Sequence, residues 1–398
     1  MATEQRYKIV HTDRTDDSSV NLVEIFDFDT EEGIEASMDS FQFRVMVGVK
    51  PTRTIEVNDE IDIYIGEGSS DPSTLIINGI VTELFYDMDV AGIVLTVRGV
   101  NRVERLLFSP RPALYDKDFS YTDANDVART GWDAIITHLI DKANEFKPEN
   151  DDTLITYDTT SVPQLGDLEN DYHSDWRSIY EHIETLTTAD WTPNGQTYMI
   201  ELDNTNKLHL RSKDSSDYSD IVGTIDLDGA DVISAKITYG LFDVINAVLL
   251  NCGKDANGNS ILVTKWDVTS MGEYGAKFKY IKEEEIADTY YGRDRGAGKD
   301  IETQRNEIRN LGITRVNEIL SLLGQPRYKI DATFLGTTKY VRGKVYKVQS
   351  SEIAVLGTTE PLKRLRIKNI LHRFSARNGW MTSITLEEDE QTIKAYGG

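Results

Sequence analysis

Short runs in which apolar and polar residues alternate restrict this chain more than any other feature. A period of two puts every second side chain on one face of a strand and does not match the 3.6-residue period of a helix. Phe41-Gln42-Phe43-Arg44-Val45-Met46-Val47 is one such run. Glu60-Ile61-Asp62-Ile63-Tyr64-Ile65 is another, ending at a turn over Gly66–Ser70. Leu75–Val81 and Ile93–Gly99 continue the pattern, with a turn at Asp89-Val90-Ala91-Gly92 between them and Gly79 placed for a bulge or a close packing contact. Strands in succession without intervening helices predict an antiparallel barrel or sandwich.

The pattern changes near Pro110 and Pro112. Asp126–Phe146 carries Val127, Trp132, Ile135, Ile136, Leu139 and Ile140 close to helical spacing, with Asp123 or Asn125 available as a cap. A second helix is expected near Asp175–Thr187, with Trp176, Ile179, Tyr180, Ile183 and Leu186 on one face. Thr197–Leu202 and Lys207–Arg211 flank the turn Asp203-Asn204-Thr205-Asn206 and read as a hairpin. Strands resume at Val232–Tyr239 and Ala247–Cys252, and Ile261–Trp266 pairs back across the turn Lys254–Asn259. Thr289–Asp300, rich in glycine and charge, reads as a mobile loop, and Ile301–Leu323 as a long helix stopped by Gly324 and Pro326. Tyr328–Phe334, Gly343–Val348, Leu365–Phe374 and Met381–Glu387 complete the strands.

The end of the chain echoes its beginning. Val57–Tyr64, Ile77–Leu84, the turn at Gly92 and Val94–Val97 are answered by Val341–Val348, Ile367–Phe374, the turn at Asn378-Gly379 and Met381–Leu386. Each set is a polar turn, a strand, a loop, a long strand, a glycine turn and a final strand. The fold class is therefore read as mainly β with α+β insertions. A first barrel covers residues 1–112, and a middle α+β domain covers 113–230. A second, similar barrel covers 231–398, with an inserted loop and helix at about 285–325.

At 398 residues the chain is long enough for roughly two to four units. No apolar run approaches the roughly 18 residues of a membrane span, and Met1-Ala2-Thr3-Glu4-Gln5-Arg6 lacks the apolar stretch of a secretory signal. Cytoplasmic synthesis without membrane insertion is expected. The single cysteine, Cys252, excludes an intrachain disulfide and a cysteine-based zinc cluster. A formal net charge of −24 argues against a nucleic-acid groove. Three readings of the acidity stay open: solubility, a halophilic host whose salt screens self-repulsion, and a channel lining along which DNA slides without sticking.

Several of these segments resemble the baseplate or tail hub proteins of tailed phages and contractile injection systems, including the late-control D proteins. The pieces that carry the resemblance are Met38–Phe43, Asn58–Gly66, Asn78-Gly79-Ile80-Val81, Val244–Val248, Ile370–Phe374 and Gly379-Trp380-Met381-Thr382. The order of elements is more specific than any one of them. The resemblance implies two tube-type barrels per subunit and a homotrimer with six similar units in a ring. Such a ring joins a six-fold tail tube to a three-fold spike or fibre at the tail tip of a virion and surrounds the path of genome ejection. An internally duplicated subunit resolves that symmetry mismatch with closed symmetry. The implied partners are the tail tube and distal tail proteins, a central spike or fibre protein and the tape measure protein. DNA passes through without specific binding.

No enzymatic chemistry, cofactor or metal site is read from the residues. Gly292–Lys299 resembles a phosphate loop but fails on spacing, and Asp300 stands where Ser or Thr is needed, so a flexible loop is the simpler reading. Asp255–Asn259 lacks the closing glutamate of a calcium loop and reads as a hairpin turn. His173 and His182 near Asp175 and Glu181 read as surface or packing residues, and Cys252 as a buried inert thiol. No GxSxG or HExxH occurs. Two other functions compete with the hub. One is a tail-tip enzyme acting on the host envelope, for which only the middle domain leaves room. The other is a receptor-binding module using Trp176, Trp191, Tyr180 and Tyr198 to stack on sugars, although Trp176 and Tyr180 share one helical face and suit a core.

Overall fold

The computed structural model describes residues 5–13, 18–22, 25–33, 39–47, 54–67, 71–89, 92–103, 107, 121–122, 128–129, 131–145, 155–157, 162–166, 168, 178–188, 191–202, 207–213, 220–240, 244–292, 296–353, 356–359 and 362–388. The chain forms two compact units. Residues 1–168, 172–236 and 330–387 make the first, and residues 169–171, 237–329 and 388–398 the second.

The first unit opens with seven strands: β1 (Gln5–Thr12), β2 (Ser19–Leu22), β3 (Ile25–Gly33), β4 (Ser40–Val47), β5 (Glu60–Glu67), β6 (Thr74–Asp89) and β7 (Gly92–Asn101). A middle segment follows with β8 (Tyr121–Thr122), β9 (Ala128–Arg129), α1 (Trp132–Glu145), α2 (Ile179–Leu186), β10 (Tyr198–Leu202) and β11 (Leu208–Ser212). Next come β12 (Ile221–Asp226) and β13 (Val232–Gly240), which enters the second unit. That unit holds β14 (Ala247–Lys254), β15 (Ser260–Trp266), α3 (Val268–Tyr274), β16 (Phe278–Lys282), α4 (Glu285–Gly292) and α5 (Ile301–Leu323). The chain returns through β17 (Arg327–Leu335) to β18 (Val345–Gln349), β19 (Lys363–Ser375) and β20 (Gly379–Glu387). Mainly β architecture is as the alternation predicted.

Thirteen strands form one sheet in the order β13-β17-β20-β19-β3-β4-β7-β6-β5-β1-β2, with β18 attached to β19 and β12 to β18. Alternation explains the core. Ile61, Ile63 and Ile65 of β5 point inward with Phe41 and Phe43 of β4. Gly79 is a close-packing site: a Cβ there would lie 2.3 Å from the Phe41 ring, and one at Gly99 would meet the same ring. The β5–β6 bulge lies elsewhere, at Ile63/Tyr64. Within this sheet β12 runs parallel to β18.

The echo between the ends of the chain is structural. Asn58 takes positive φ (78°) just before β5, and Gly343 does the same (74°) just before β18. In the first turn Asn58 N donates to Val81 O at 2.9 Å, Asp59 N to Glu56 O at 3.2 Å, and Val81 N to Asp59 O at 2.9 Å. In the second, Gly343 N donates to Ile367 O at 2.9 Å, Lys344 N to Val341 O at 3.4 Å, and Ile367 N to Lys344 O at 3.0 Å. The same bulge follows, between Val81 and Glu83 of β6 against β7 and between Ile367 and Asn369 of β19 against β20. The strand series β1, β3, β4, β5, β6, β7 thus matches β12, β13, β17, β18, β19, β20 in both chain order and sheet order, and differs in direction at its first member, since β1 is antiparallel to β5 and β12 parallel to β18. Matching by sequence alone sets Val57 against Val341 and Ile77 against Ile367. The hydrogen bonds correct this to Glu56 with Val341 and Val81 with Ile367. The Ile367 match slips by four residues, which keeps every side chain on its face and so escapes apolar patterning, whereas the Val341 match slips by one.

Three local expectations are corrected. The first helix begins at Trp132, not Asp126, because Ala128–Arg129 pairs with Tyr121–Thr122; Asp123 and Asn125 lie outside the described residues. The second begins at Ile179, where Ser178 and Glu181 form a reciprocal capping box. Thr289–Gly292, expected as loop, ends α4, whose Ala287 and Tyr290 are buried in the core of the second unit. The long helix spans Ile301–Leu323 as predicted, and its N-cap is Asp300, which accepts from Thr303 N.

The second unit packs α4 and α5 on the sheet β15-β14-β16. Gly312 sits in mid-helix where a Cβ would come 2.3 Å from Cys252 Sγ and 3.0 Å from Val263 Cγ2. Its missing side chain lets α5 lie close to the strands, which offsets its poor helix propensity.

Candidate assembly interface

The joint between the two repeats of the first unit is built where β19 pairs antiparallel with β3, from Asn369 opposite Gly33 to Ser375 opposite Asp27. Its inner face is aromatic. Phe374 from β19 enters the core of the first repeat, with its ring centroid 4.3 Å from Tyr7 and 5.8 Å from Phe28. Its outer face is ionic: Arg373 Nε lies 3.1 Å from Asp29, and Asn369 Nδ2 donates to Glu31 at 2.7 Å. Arg44 pairs with Asp27 on the next strand. These outer pairs are exposed and set register more than stability.

A buried node locks one end of the joint. Arg342, in the turn before β18, places Nη1 2.6 Å from both oxygens of Asp39 and 3.0 Å from Gly33 O, while Nη2 reaches Leu202 O at 3.1 Å. One guanidinium thereby ties the second repeat to the end of β3, the start of β4 and β10 of the middle segment. Asp39 is 4% exposed. Burial raises its carboxyl above the ordinary value, while Arg342 and the Gly33 amide pull it back. At the joint's inner face His372 lies 3.7 Å from Glu32 and within hydrogen-bond reach of Thr382. Burial holds its imidazole down at about 4, so it is neutral at physiological pH. In the first repeat, buried His11 meets Asp59 at 2.7 Å and fixes the turn before β5.

Two further surfaces are exposed and apolar. The outer half of β6 presents Phe85, Tyr86 and Met88, the last 77% exposed. In the second unit the sheet face away from α5 presents Leu249, Leu262, Trp266, Phe278 and Tyr280. Apolar exposure on this scale is typical of surfaces that meet a partner.

No protein-family model matches the chain, and neither does any curated protein sequence. Solved structures do match, along its whole length. The tail protein of Neisseria meningitidis MC58 superposes with a TM-score of 0.60 at 12% identity, over 97% of this chain and 98% of that one. This is the fold of phage tail proteins. The 43 kDa tail protein of prophage MuSo2 from Shewanella oneidensis matches at TM-score 0.59 and 14% identity, over 97% of this chain and 99% of that one. Prophage tail protein gp18 from Listeria monocytogenes matches at TM-score 0.53 and 12% identity, over 98% and 96%. A chain of the Francisella PdpA–VgrG complex matches at TM-score 0.53 and 10% identity over 97% of this chain but only 53% of that one, so there the tail-protein fold is part of a longer polypeptide.

Against this fold the residues considered for chemistry fall apart. Tyr198 is buried, and Tyr180 and Trp191 pack on the same middle-segment core around Trp132, so they do not form a free stacking platform. Trp176, His173 and Asp175 lie outside the described residues. His182 is buried and Glu181 is engaged in the capping box. Asp255 closes the β14–β15 turn by accepting from Asn257 N and Asn259 N. Lys299 pairs with Glu307, and Asp300 caps α5. The Cys252 thiol is buried, and burial pushes it up to about 11. Among the described residues no group of three potential metal ligands occurs. Sequence reasoning quoted Asp39 and Arg342 but missed their pairing, which joins residues 303 positions apart.

Proposed function

We propose that this chain is a structural hub at the tail tip or baseplate of a tailed virus, not an enzyme. Three copies, each with two tube-type barrels, form a pseudo-six-fold ring that joins a six-fold tail tube to a three-fold spike or fibre. The single observation that carries this reading is the internal duplication. Two six-stranded sets share strand order, a left-handed turn with three equivalent hydrogen bonds, and a bulge at the equivalent place. A subunit carrying two like modules lets a trimer present six similar units, which is how closed symmetry accommodates a six-to-three change.

The barrels are assigned to residues 1–112 and to the strands within 231–398 joined by β12, with the rest of the middle segment 113–230 facing other baseplate components. The ring encloses the path of DNA, and the net charge of −24 on each chain supports a lumen that repels phosphate. The same acidity suits a halophilic host. Partners are the tail tube and distal tail proteins, the spike or fibre protein and the tape measure protein.

The test is the mass of the purified chain by mass photometry, followed by electron microscopy, at low and at multimolar salt. A three-copy ring with six similar lobes is expected. A chain that stays monomeric at every salt concentration and fails to form rings with tail-tube and spike proteins present would defeat the proposal. Carboxylates confined to the outer wall of such a ring would defeat the lumen assignment alone.

A further inference from the structure

We infer that the bare face of the three-stranded sheet in the second unit is a docking site for an acidic amphipathic helix of another protein. This goes beyond the hub reading and does not depend on the ring.

The strands carry the first argument. A sheet with one solvated face alternates apolar and polar residues, whereas a strand covered on both faces reads as a continuous apolar run. β14, the central strand, begins Ala247-Val248-Leu249-Leu250. Val248 and Leu250 are buried in the core with residues of α4 and α5. Ala247 and Leu249 point the other way. Register sets Ala247 between Trp266 of β15 and Phe278 of β16, and Leu249 between Thr264 and Tyr280. Trp266 is 57% exposed, Phe278 75% and Tyr280 57%, with Leu262 further along the same face. An apolar sheet face is stable when a second layer covers it. Among the described residues α4 and α5 supply that layer on one side, and these side chains stay open on the other.

Charge and size identify the occupant. The chain holds 67 acidic and 43 basic residues, yet β14, β15 and β16 together carry four lysines, Lys254, Lys265, Lys279 and Lys282, and no aspartate or glutamate. Lys282 stands on the bare face opposite Asn251 and also reaches Glu284 at 2.9 Å. An apolar centre set among lysines complements an apolar stripe flanked by carboxylates. Three strands about 4.8 Å apart span about 10 Å, the breadth of one helix with its side chains. Exposed tryptophan and tyrosine at the centre of such a patch are the side chains that dominate binding energy when covered. A second copy of the same face is a poorer occupant, because it would set lysine against lysine. A sugar is poorer too. It needs free polar groups beside the rings, and here Asn251 Nδ2 donates to Tyr280 Oη at 3.3 Å while Asn251 Oδ1 accepts from Gly253 N at 3.1 Å.

The experiment titrates the full chain with a designed helical peptide of about 20 residues, long enough to hold helix alone. It carries a leucine stripe flanked by glutamates, and a twin carries lysines at the flanking positions. Binding is read from the anisotropy of a dye on the peptide. Saturable one-to-one binding of the glutamate peptide is expected, with the lysine twin weaker by about tenfold or more. Trp266→Ser with Phe278→Ser should abolish it and leave the urea midpoint of the chain at the wild-type value, since both side chains are exposed. No binding of the glutamate peptide, equal binding of the twins, or binding that survives the double substitution would overturn the inference. Self-association of the chain that the double substitution removes would assign the face to a second copy, and chitohexaose binding lost in the same variant would assign it to a glycan; either outcome overturns the helix. The titration is made on the separate chain, so a ring that fails to form leaves its result unchanged.

Discussion

Replacing Arg342 by Met tests whether the buried node holds the repeats together. Methionine keeps most of the apolar stem and deletes the charge. Asp39 is 4% exposed and would retain the Gly33 amide, 3.1 Å from Oδ1. The carbonyls of Gly33 and Leu202 would lose the Arg342 donor at the same time. Breaking a buried pair from one side costs about 3–5 kcal/mol, because an uncompensated charge stays inside. The loss depends on pH in a definite direction. Asp39 is already raised by burial, and removing Arg342 raises it further. At low pH its carboxyl is neutral and the loss is smaller; as pH rises the charge must form without the guanidinium and the loss grows. Urea unfolding followed by the fluorescence of buried Trp132 and Trp380 should therefore show a larger deficit at pH 8 than at pH 5. Adding Asp39→Asn should recover part of it, since removing both charges leaves no buried ion. A deficit below about 1 kcal/mol that is the same at both pH values would refute the reasoning.

The remaining predictions concern single groups. The folded-state value of His372 lies at about 4, below its ordinary 6.5, so its contribution is fully present above pH 6.5 and is lost as pH falls toward 4, by up to about 3 kcal/mol. The pH dependence of stability in His372→Gln should lack that component; an unchanged slope between pH 4 and 6.5 would show that the imidazole is not buried neutral. Gly312→Ala should destabilise the second unit by about 1–3 kcal/mol through overpacking against Cys252 and Val263, despite a gain of about 1 kcal/mol in helix propensity; a higher Tm would show that α5 can retreat. Phe374→Ala should cost about 2–4 kcal/mol by emptying the space between Tyr7 and Phe28, read from chemical unfolding.

The strands and the long helix were legible in the sequence because each is declared by its own residues. Ile61, Ile63 and Ile65 announce a face by alternating with Asp62 and Tyr64, and α5 is bounded by Asp300 at one end and Gly324-Gln325-Pro326 at the other. The repeat was legible in outline only. Its register depends on which amide bonds to which carbonyl, and Val81 and Ile77 are equally good apolar partners for Ile367 until the bulge at Val81/Glu83 is seen. The Arg342–Asp39 node was not legible, because nothing local marks two charged residues that meet only when the last strands close on the first. The start of the first helix at Trp132 instead of Asp126 was hidden for a similar reason: Ala128 and Arg129 have no strand signal and pair with Tyr121–Thr122 only in the folded chain.

Equivalent strands occupy equivalent places in the sheet, yet their insertions differ. The connection from β3 to β4 spans residues 34–39, whereas its counterpart from β13 to β17 carries the whole of the second unit's helices and three-stranded sheet. The middle segment between β7 and β12 likewise occurs once per chain. In a ring of three copies the sheet would repeat six times, while these insertions would repeat three times.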